Sequence, residues 1–114
     1  MFADWKNLVP HVKKSFGSLG KDYPKMLSAY QSLNVASADG GALDAKTREL
    51  ISLAVAVTTR CDGCIGVHAQ AAIANGATEA EVAAALATAI SLNAGAAYMY
   101  SLHALEAIKS FRPE

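Results

Sequence analysis

The sequence predicts an all-α domain, and three observations lead there. Of the 114 residues 53% are hydrophobic, and much of that share is alanine, the strongest helix former and one that lets helices approach closely. The apolar residues recur at helical spacing rather than alternating as in a strand. Helix-starting and helix-stopping residues punctuate those periodic runs at regular intervals. The length suits a single domain over 1–114.

In chain order, residues 3–17 read as an amphipathic helix, with Trp5, Leu8, Val9, Val12 and Phe16 on one side and lysines opposite. Pro10 is expected to kink this helix or shift its start, and Gly17 and Gly20 to break it. Asp22-Tyr23-Pro24 opens a second helix with Met26, Leu27, Tyr30 and Leu33 on its apolar side. Asp39-Gly40-Gly41 is a loop. Asp44 caps a third helix from about Ala45 to Val57. Thr58-Thr59 are poor helix formers, suited to capping the fourth helix, which ends near Asn75-Gly76. Thr78 with Glu81 is a capping box that starts a fifth helix running to Ile108, with Gly95 a candidate kink or break.

The bulk charge narrows the function. The net charge is +0 at pH 7 and the isoelectric point about 6.8, so no surface is built to track phosphates, and nucleic acid is not an expected partner. Between Glu81 and His103 no residue is formally charged. That length alone suits a membrane span. The composition does not: Ala83, Ala84, Ala85, Thr88, Ser91, Asn93 and Gly95 are small and weakly hydrophobic. The expectation is a buried alanine-rich helix, no membrane insertion, and other subunits helping to cover it, since so short a chain has little bulk to do so. The segment Met1-Phe2-Ala3-Asp4-Trp5-Lys6 has early charge and no apolar stretch, so a secretory signal is not expected and a cytoplasmic location is. Two cysteines in that compartment suit catalysis or metal binding better than a structural staple.

The chemistry concentrates in Cys61-Asp62-Gly63-Cys64-Ile65-Gly66-Val67-His68. On a helix Cys61, Cys64 and His68 fall within an arc of roughly 60°. Two thiols and an imidazole on one face suit thiol–disulfide exchange with a built-in base. The start of a helix favours thiolate, and a C-x-x-C spacing permits an intramolecular disulfide. His68, four residues after Cys64, can take the thiol proton. If the third and fourth helices form an antiparallel hairpin near Thr58-Thr59, Glu49 and His68 each lie about nine residues from the turn and at one height. Glu49 can then orient or recharge His68. An uninterrupted helix would defeat that arrangement. Helix-terminus electrostatics nominate Cys61 as nucleophile, whereas the neighbouring base nominates Cys64.

Glu49, eleven intervening residues, then Cys61-x-x-Cys64-x-x-x-His68 resembles the signature of the AhpD-like branch of the carboxymuconolactone decarboxylase family. The flanks agree: Leu43-Asp44-Ala45-Lys46-Thr47-Arg48 before it, Asn75-Gly76-Ala77-Thr78 with Glu81 after it. The resemblance spans roughly residues 20–110. It implies an all-helical, AhpD-like fold, assembly into a homotrimer or homohexamer, and reduction of hydroperoxides by the cysteine pair without a bound cofactor. Cys64 would be the peroxide-reacting thiol, deprotonated through Glu49 and His68, and Cys61 would close the disulfide. Electrons would come from a thiol or dihydrolipoyl-type donor. The best-known members carry a histidine where this chain has Gly63, a departure that bears on the proton relay.

Two other functions compete. The family name suggests a lactone decarboxylase, but that branch lacks the cysteine pair. A non-catalytic redox-sensing or zinc-binding oligomer is the other, with Cys61, Cys64, His68 and either Glu49 or His103 as ligands, although one helix is an awkward source for a closed zinc site. His103 otherwise reads as a structural or interface histidine. Tyr98, Met99 and Tyr100 read as core or subunit contacts, Arg48 as part of a surface or interface ion pair, and Asp62 as a favourable charge at a helix start.

Overall fold

The computed structural model describes residues 2–113, which form five helices and, among the described residues, no strand. They are α1 Trp5–Asp22, α2 Pro24–Ala36, α3 Ala45–Thr59, α4 Asp62–Ala74 and α5 Glu79–Phe111. The all-α expectation holds.

The local signals set most boundaries. Asp44 caps α3 by accepting the Thr47 backbone N–H at 2.8 Å. Both halves of the Thr78 capping box are present, at 3.1 Å from the Glu81 N–H to the Thr78 hydroxyl and 3.0 Å from the Thr78 N–H to the Glu81 carboxylate. Pro24 opens α2, and Gly76, at φ 86°, takes the left-handed conformation just past the end of α4.

Three glycines behave otherwise than expected. Gly17 and Gly20 lie inside α1, which continues to Asp22, and α5 runs unbroken through Gly95 for 33 residues. A helical glycine costs roughly 1 kcal/mol relative to alanine but removes no backbone hydrogen bond, so neighbouring turns carry it. At Gly20 a Cβ would collide with Leu27, so the missing side chain is what lets α2 fold back onto α1. Pro10 also lies inside α1, whose first helical residue is Trp5.

The core sits where α3 packs on both α4 and α5. Leu53 (4% exposed), Ala72 (0%) and Ala77 (8%) are its centre, with Leu50, Ala69 and Val82 against them. α1 packs on α2 and on α4. Its Val9 lies over Gly66 and its Val12 over Gly63, at 3.0 Å and 3.3 Å from where a Cβ would stand. Small residues on α4 thus let α1 settle close to the cysteine pair.

The buried alanine-rich helix is a half-truth for one chain. Within α5 Ala89 is buried, whereas Ile90, Leu92, Tyr98, Leu105, Ile108 and Phe111 are exposed. The Asn93 side chain donates to the Thr58 hydroxyl at 3.0 Å; beyond it the helix leaves the body as an arm. α5 is also the one helix, among the described residues, long and apolar enough to cross a membrane. The chain is extended as a result. Its radius of gyration is 18.7 Å, where a compact chain of this length has about 13 Å. It exposes 9093 Å², where a compact monomer of this mass exposes about 6,000 Å².

Candidate redox site

The site is made by the turn between α3 and α4. Thr58 and Thr59 do not cap α4. They close α3 instead, their hydroxyls donating to the carbonyls of Ala54 and Val55 at 2.8 Å and 3.1 Å. The chain then reverses at Arg60, which takes the left-handed conformation (φ 56°, ψ 49°) while its N–H still reaches the Ala56 carbonyl. That single residue turns the path back, and Cys61 follows as the N-cap of α4.

Cys61 therefore stands just before the helix rather than in its first turn. Its sulfur does the work of a capping oxygen, accepting the Cys64 backbone N–H at 3.2 Å. Cys64 lies in the first turn. The two are paired as a disulfide with their Cα atoms 5.2 Å apart. Asp62, at the first helical position, places a negative charge at the positive end of the helix dipole, as expected.

The hairpin on which the proton relay depends is present. It brings His68 of α4 and Glu49 of α3 together, with His68 Nδ1 2.6 Å from Glu49 Oε2. Neither side chain is fully buried, at 34% and 20% exposed. A carboxylate only accepts hydrogen bonds, so Nδ1 carries a proton, and in the neutral ring Nε2 then keeps its lone pair. Glu49 thus selects the tautomer in which the outer nitrogen is a base. His68 is one helical turn after Cys64, and Glu49, Cys61, Cys64 and His68 all line one cleft of about 750 Å³.

Gly63 lies under α1. A Cβ there would stand 3.3 Å and 3.5 Å from the methyl groups of Val12 on α1. A side chain at that position would ask Val12 to give by a few tenths of an ångström, so the glycine suits the close approach of α1. His103 lies on the exposed arm of α5, stacked on Tyr100 with ring centroids 4.7 Å apart, away from the cysteines' own helical hairpin. Among the described residues no group of three or more His, Cys, Asp or Glu is arranged to hold a metal ion.

Arg48 makes no ion pair within the chain among the described residues, and it lines the cleft, as does Lys13 of α1. Sequence reasoning missed both. Arg48 precedes Glu49, and a helix turns adjacent residues by about 100°, so adjacency gave no sign that both border one cleft. Lys13 comes from a different helix altogether.

Comparison with known proteins agrees with this architecture. The model of the carboxymuconolactone decarboxylase family matches residues 22–107, and the chain belongs to that family. It is 73% identical over 107 residues to an uncharacterized protein of Haemophilus influenzae, covering 94% of this chain and 95% of that one. It is 35% identical over 105 residues to an uncharacterized protein of Cupriavidus necator, covering 92% and 93%. Among solved structures, an apo carboxymuconolactone decarboxylase family protein from Legionella pneumophila superposes with a TM-score of 0.73 at 34% identity, covering 94% of this chain and 96% of that one. The cysteine pair fits the AhpD-like branch of the family.

Proposed function

We propose that this protein is a thiol-dependent peroxidase and disulfide oxidoreductase that reduces hydroperoxides through Cys61 and Cys64. The observation that carries the reading is the Glu49–His68 contact at 2.6 Å, placed one turn from a disulfide-forming cysteine pair. Chance packing has no need of an oriented imidazole beside two thiols.

In the reduced protein, His68 Nε2 takes the Cys64 proton, and Glu49 stabilises the imidazolium through Nδ1. The Cys64 thiolate attacks the terminal peroxide oxygen. The O–O bond breaks, sulfur gives up two electrons to become a sulfenic acid, and the alkoxide takes a proton to leave as the alcohol. Cys61 then attacks the sulfenic sulfur, forming the disulfide and releasing water. The Cys64 N–H that caps Cys61 favours its thiolate for this attack. The same hydrogen bond makes Cys61 the better leaving thiolate when a donor dithiol attacks the disulfide and is itself oxidised to its disulfide. The capping bond supports a division of labour between the cysteines: Cys64 for the peroxide, Cys61 for resolution and release. The donor is a thiol or dihydrolipoyl-type compound, and the cytoplasm is the compartment that keeps such donors reduced.

The protein works as a homotrimer or homohexamer. The support is the excess of roughly 3,000 Å² over a compact monomer, of the size an obligate subunit contact covers, together with the exposed apolar side chains of the α5 arm. Ser101, His103, Glu106 and Lys109 along that arm suit a subunit interface rather than lipid.

The test is peroxide consumption with several donors. Wild type turns over, and Cys64→Ser loses turnover; equal rates for the two remove the peroxidase reading. Glu49→Gln, which keeps the shape and loses the charge, lowers kcat/KM by about a hundredfold while circular dichroism stays unchanged. Trapping a sulfenic acid at Cys61 in Cys64→Ser, and none at Cys64 in Cys61→Ser, reverses the assignment of roles. A monomer in sedimentation equilibrium removes the oligomer.

A further inference from the structure

The cleft beside the cysteines is far larger than hydrogen peroxide needs. Its volume of about 750 Å³ falls within the range of clefts that hold whole organic ligands, roughly 300–1,000 Å³. Its walls are largely apolar: Val12 and Phe16 from α1, Leu27 and Tyr30 from α2, Ile51 from α3 and Val67 from α4. Phe16 and Tyr30 stack with centroids 5.5 Å apart and planes at 22°, forming a flat aromatic face opposite the redox pair's own hairpin.

The charges of the cleft are unbalanced. Its acid, Glu49, is committed to His68. Its two cations, Lys13 and Arg48, have no ion-pair partner among the described residues. The hydrogen bonds from Thr47 hold the Asp44 carboxyl below its ordinary range, with Lys46 and Arg48 adding smaller pulls, and Asp44 forms no ion pair with Arg48. The whole chain has a net charge of +0, so this excess belongs to the cleft and not to the bulk surface. A mostly apolar hollow with a few placed charges recognises a molecule with an apolar body and one end of opposite charge.

We propose that the cleft binds an amphipathic carboxylate, its apolar body along the Phe16–Tyr30 wall, its carboxylate at Arg48 and Lys13, and its reactive end at the Cys61–Cys64 pair. This rests on the peroxidase reading for the chemistry at the pair. Two kinds of molecule share that description: the hydroperoxide of an aliphatic acid, reduced to its hydroxy acid by the steps above, and a carboxylate-tailed dithiol, oxidised to its cyclic disulfide as it reduces the protein. Arg48 and Lys13 act in binding and take no part in either electron transfer.

Binding is tested first, with molecules that cannot react. Calorimetric titration of the oxidised protein with decanoate and with methyl decanoate reads the carboxylate contribution directly. Decanoate binds about tenfold tighter, as a charge-assisted contact at a partly exposed site gives. The preference vanishes in Lys13→Gln/Arg48→Gln and persists in Lys13→Arg/Arg48→Lys, with circular dichroism verifying that each variant is folded. Equal affinity for acid and ester in wild type overturns the proposal, as does an undiminished preference in the double glutamine variant.

Turnover then names the source. One arm compares a fatty-acid hydroperoxide with its methyl ester, using dithiothreitol as donor. The other compares dihydrolipoate with dihydrolipoamide, using hydrogen peroxide as oxidant. The arm whose kcat/KM ratio collapses toward one in the double glutamine variant identifies the carboxylate carrier. A binding preference with neither ratio sensitive to charge overturns the placement of the ligand at the redox pair. Peroxide consumed without any carboxylate preference defeats this proposal and leaves the peroxidase reading standing. A carboxylate preference without peroxide consumption does the reverse.

Discussion

The two halves of α5 are both largely apolar but have opposite surroundings. Its first half lies on α3, and Val82 and Ala89 there are partly or fully buried. Its second half, rich in Tyr98, Met99, Tyr100, Leu105 and Ile108, touches nothing comparable and leaves those side chains 59–73% exposed. A helix takes its stability in a protein chiefly from the apolar face it buries. The contrast therefore teaches that the packed body of one chain ends near Asn93, and that the remainder is an apolar arm which the proposed oligomer would cover. The candidate redox site lies with the packed half, on the α3–α4 hairpin, where one chain supplies Glu49, Cys61, Cys64 and His68. The cleft in front of it is walled by the α1–α2 pair.

Four measurements break or sharpen this contrast. The largest effect is expected at Leu53, 4% exposed at the centre of the α3–α4–α5 contact. Leu53→Ala costs about 2–5 kcal/mol in chemical denaturation, whatever the protein concentration. A cost below about 1 kcal/mol would show that the core lies elsewhere. On the arm, Leu105→Glu acts through assembly. It shifts the oligomer to smaller species in sedimentation and lowers the melting temperature more at low protein concentration than at high. An unchanged oligomer would show that the arm is not the interface.

Smaller effects bear on the boundary of the packed half. Thr78→Ala removes the hydroxyl that starts α5 and costs about 1 kcal/mol by thermal or chemical denaturation. The smallest is a pH dependence. Lys46 Nζ lies 2.8 Å from Glu81 Oε2, tying the start of α3 to the start of α5. The bond to Lys46, together with the Thr78 N–H, holds the Glu81 carboxyl below its ordinary range. The same bond raises the Lys46 ammonium above its own. A depressed carboxyl stabilises the fold above its unfolded pKa, and that contribution is lost as pH falls through the folded value. A raised ammonium stabilises below its unfolded pKa and is lost as pH rises through the folded value. The melting temperature is thus expected to have a plateau between the two and to decline slightly on acidification. Glu81→Gln flattens that acid limb, and an acid limb identical to wild type would remove the ion pair from the account.

Much of this was legible along the chain because it is local. Asp44 and Thr78 cap helices through bonds that span three residues, so the residue types alone announce them. The Glu49–His68 encounter was legible through arithmetic, since two helices leaving one turn keep equal heights at equal distances from it. Other features were misread where a local rule met a tertiary one. Thr58 and Thr59 look like caps, but their hydroxyls bond back to α3, and the reversal falls to Arg60, whose left-handed backbone no residue-type rule assigns to arginine. Gly17, Gly20 and Gly95 look like breaks, yet the helices run through them because packing and adjacent turns outweigh a cost of roughly 1 kcal/mol.

The sequence by itself determined the helical class, the caps that frame α3 and α5, and the thiol–imidazole face of α4, because spacing within a helix is covalent geometry and carries its own chemistry. Only the tertiary structure decided which helices share a core, where α5 parts from the body, how closely Val12 lies over Gly63, and that Lys13 and Arg48, from different helices, border one cleft with Cys61 and Cys64. Those contacts join residues far apart in the chain, and their relative placement depends on how helix surfaces fit together, which the order of residues encodes only through the packing it makes possible.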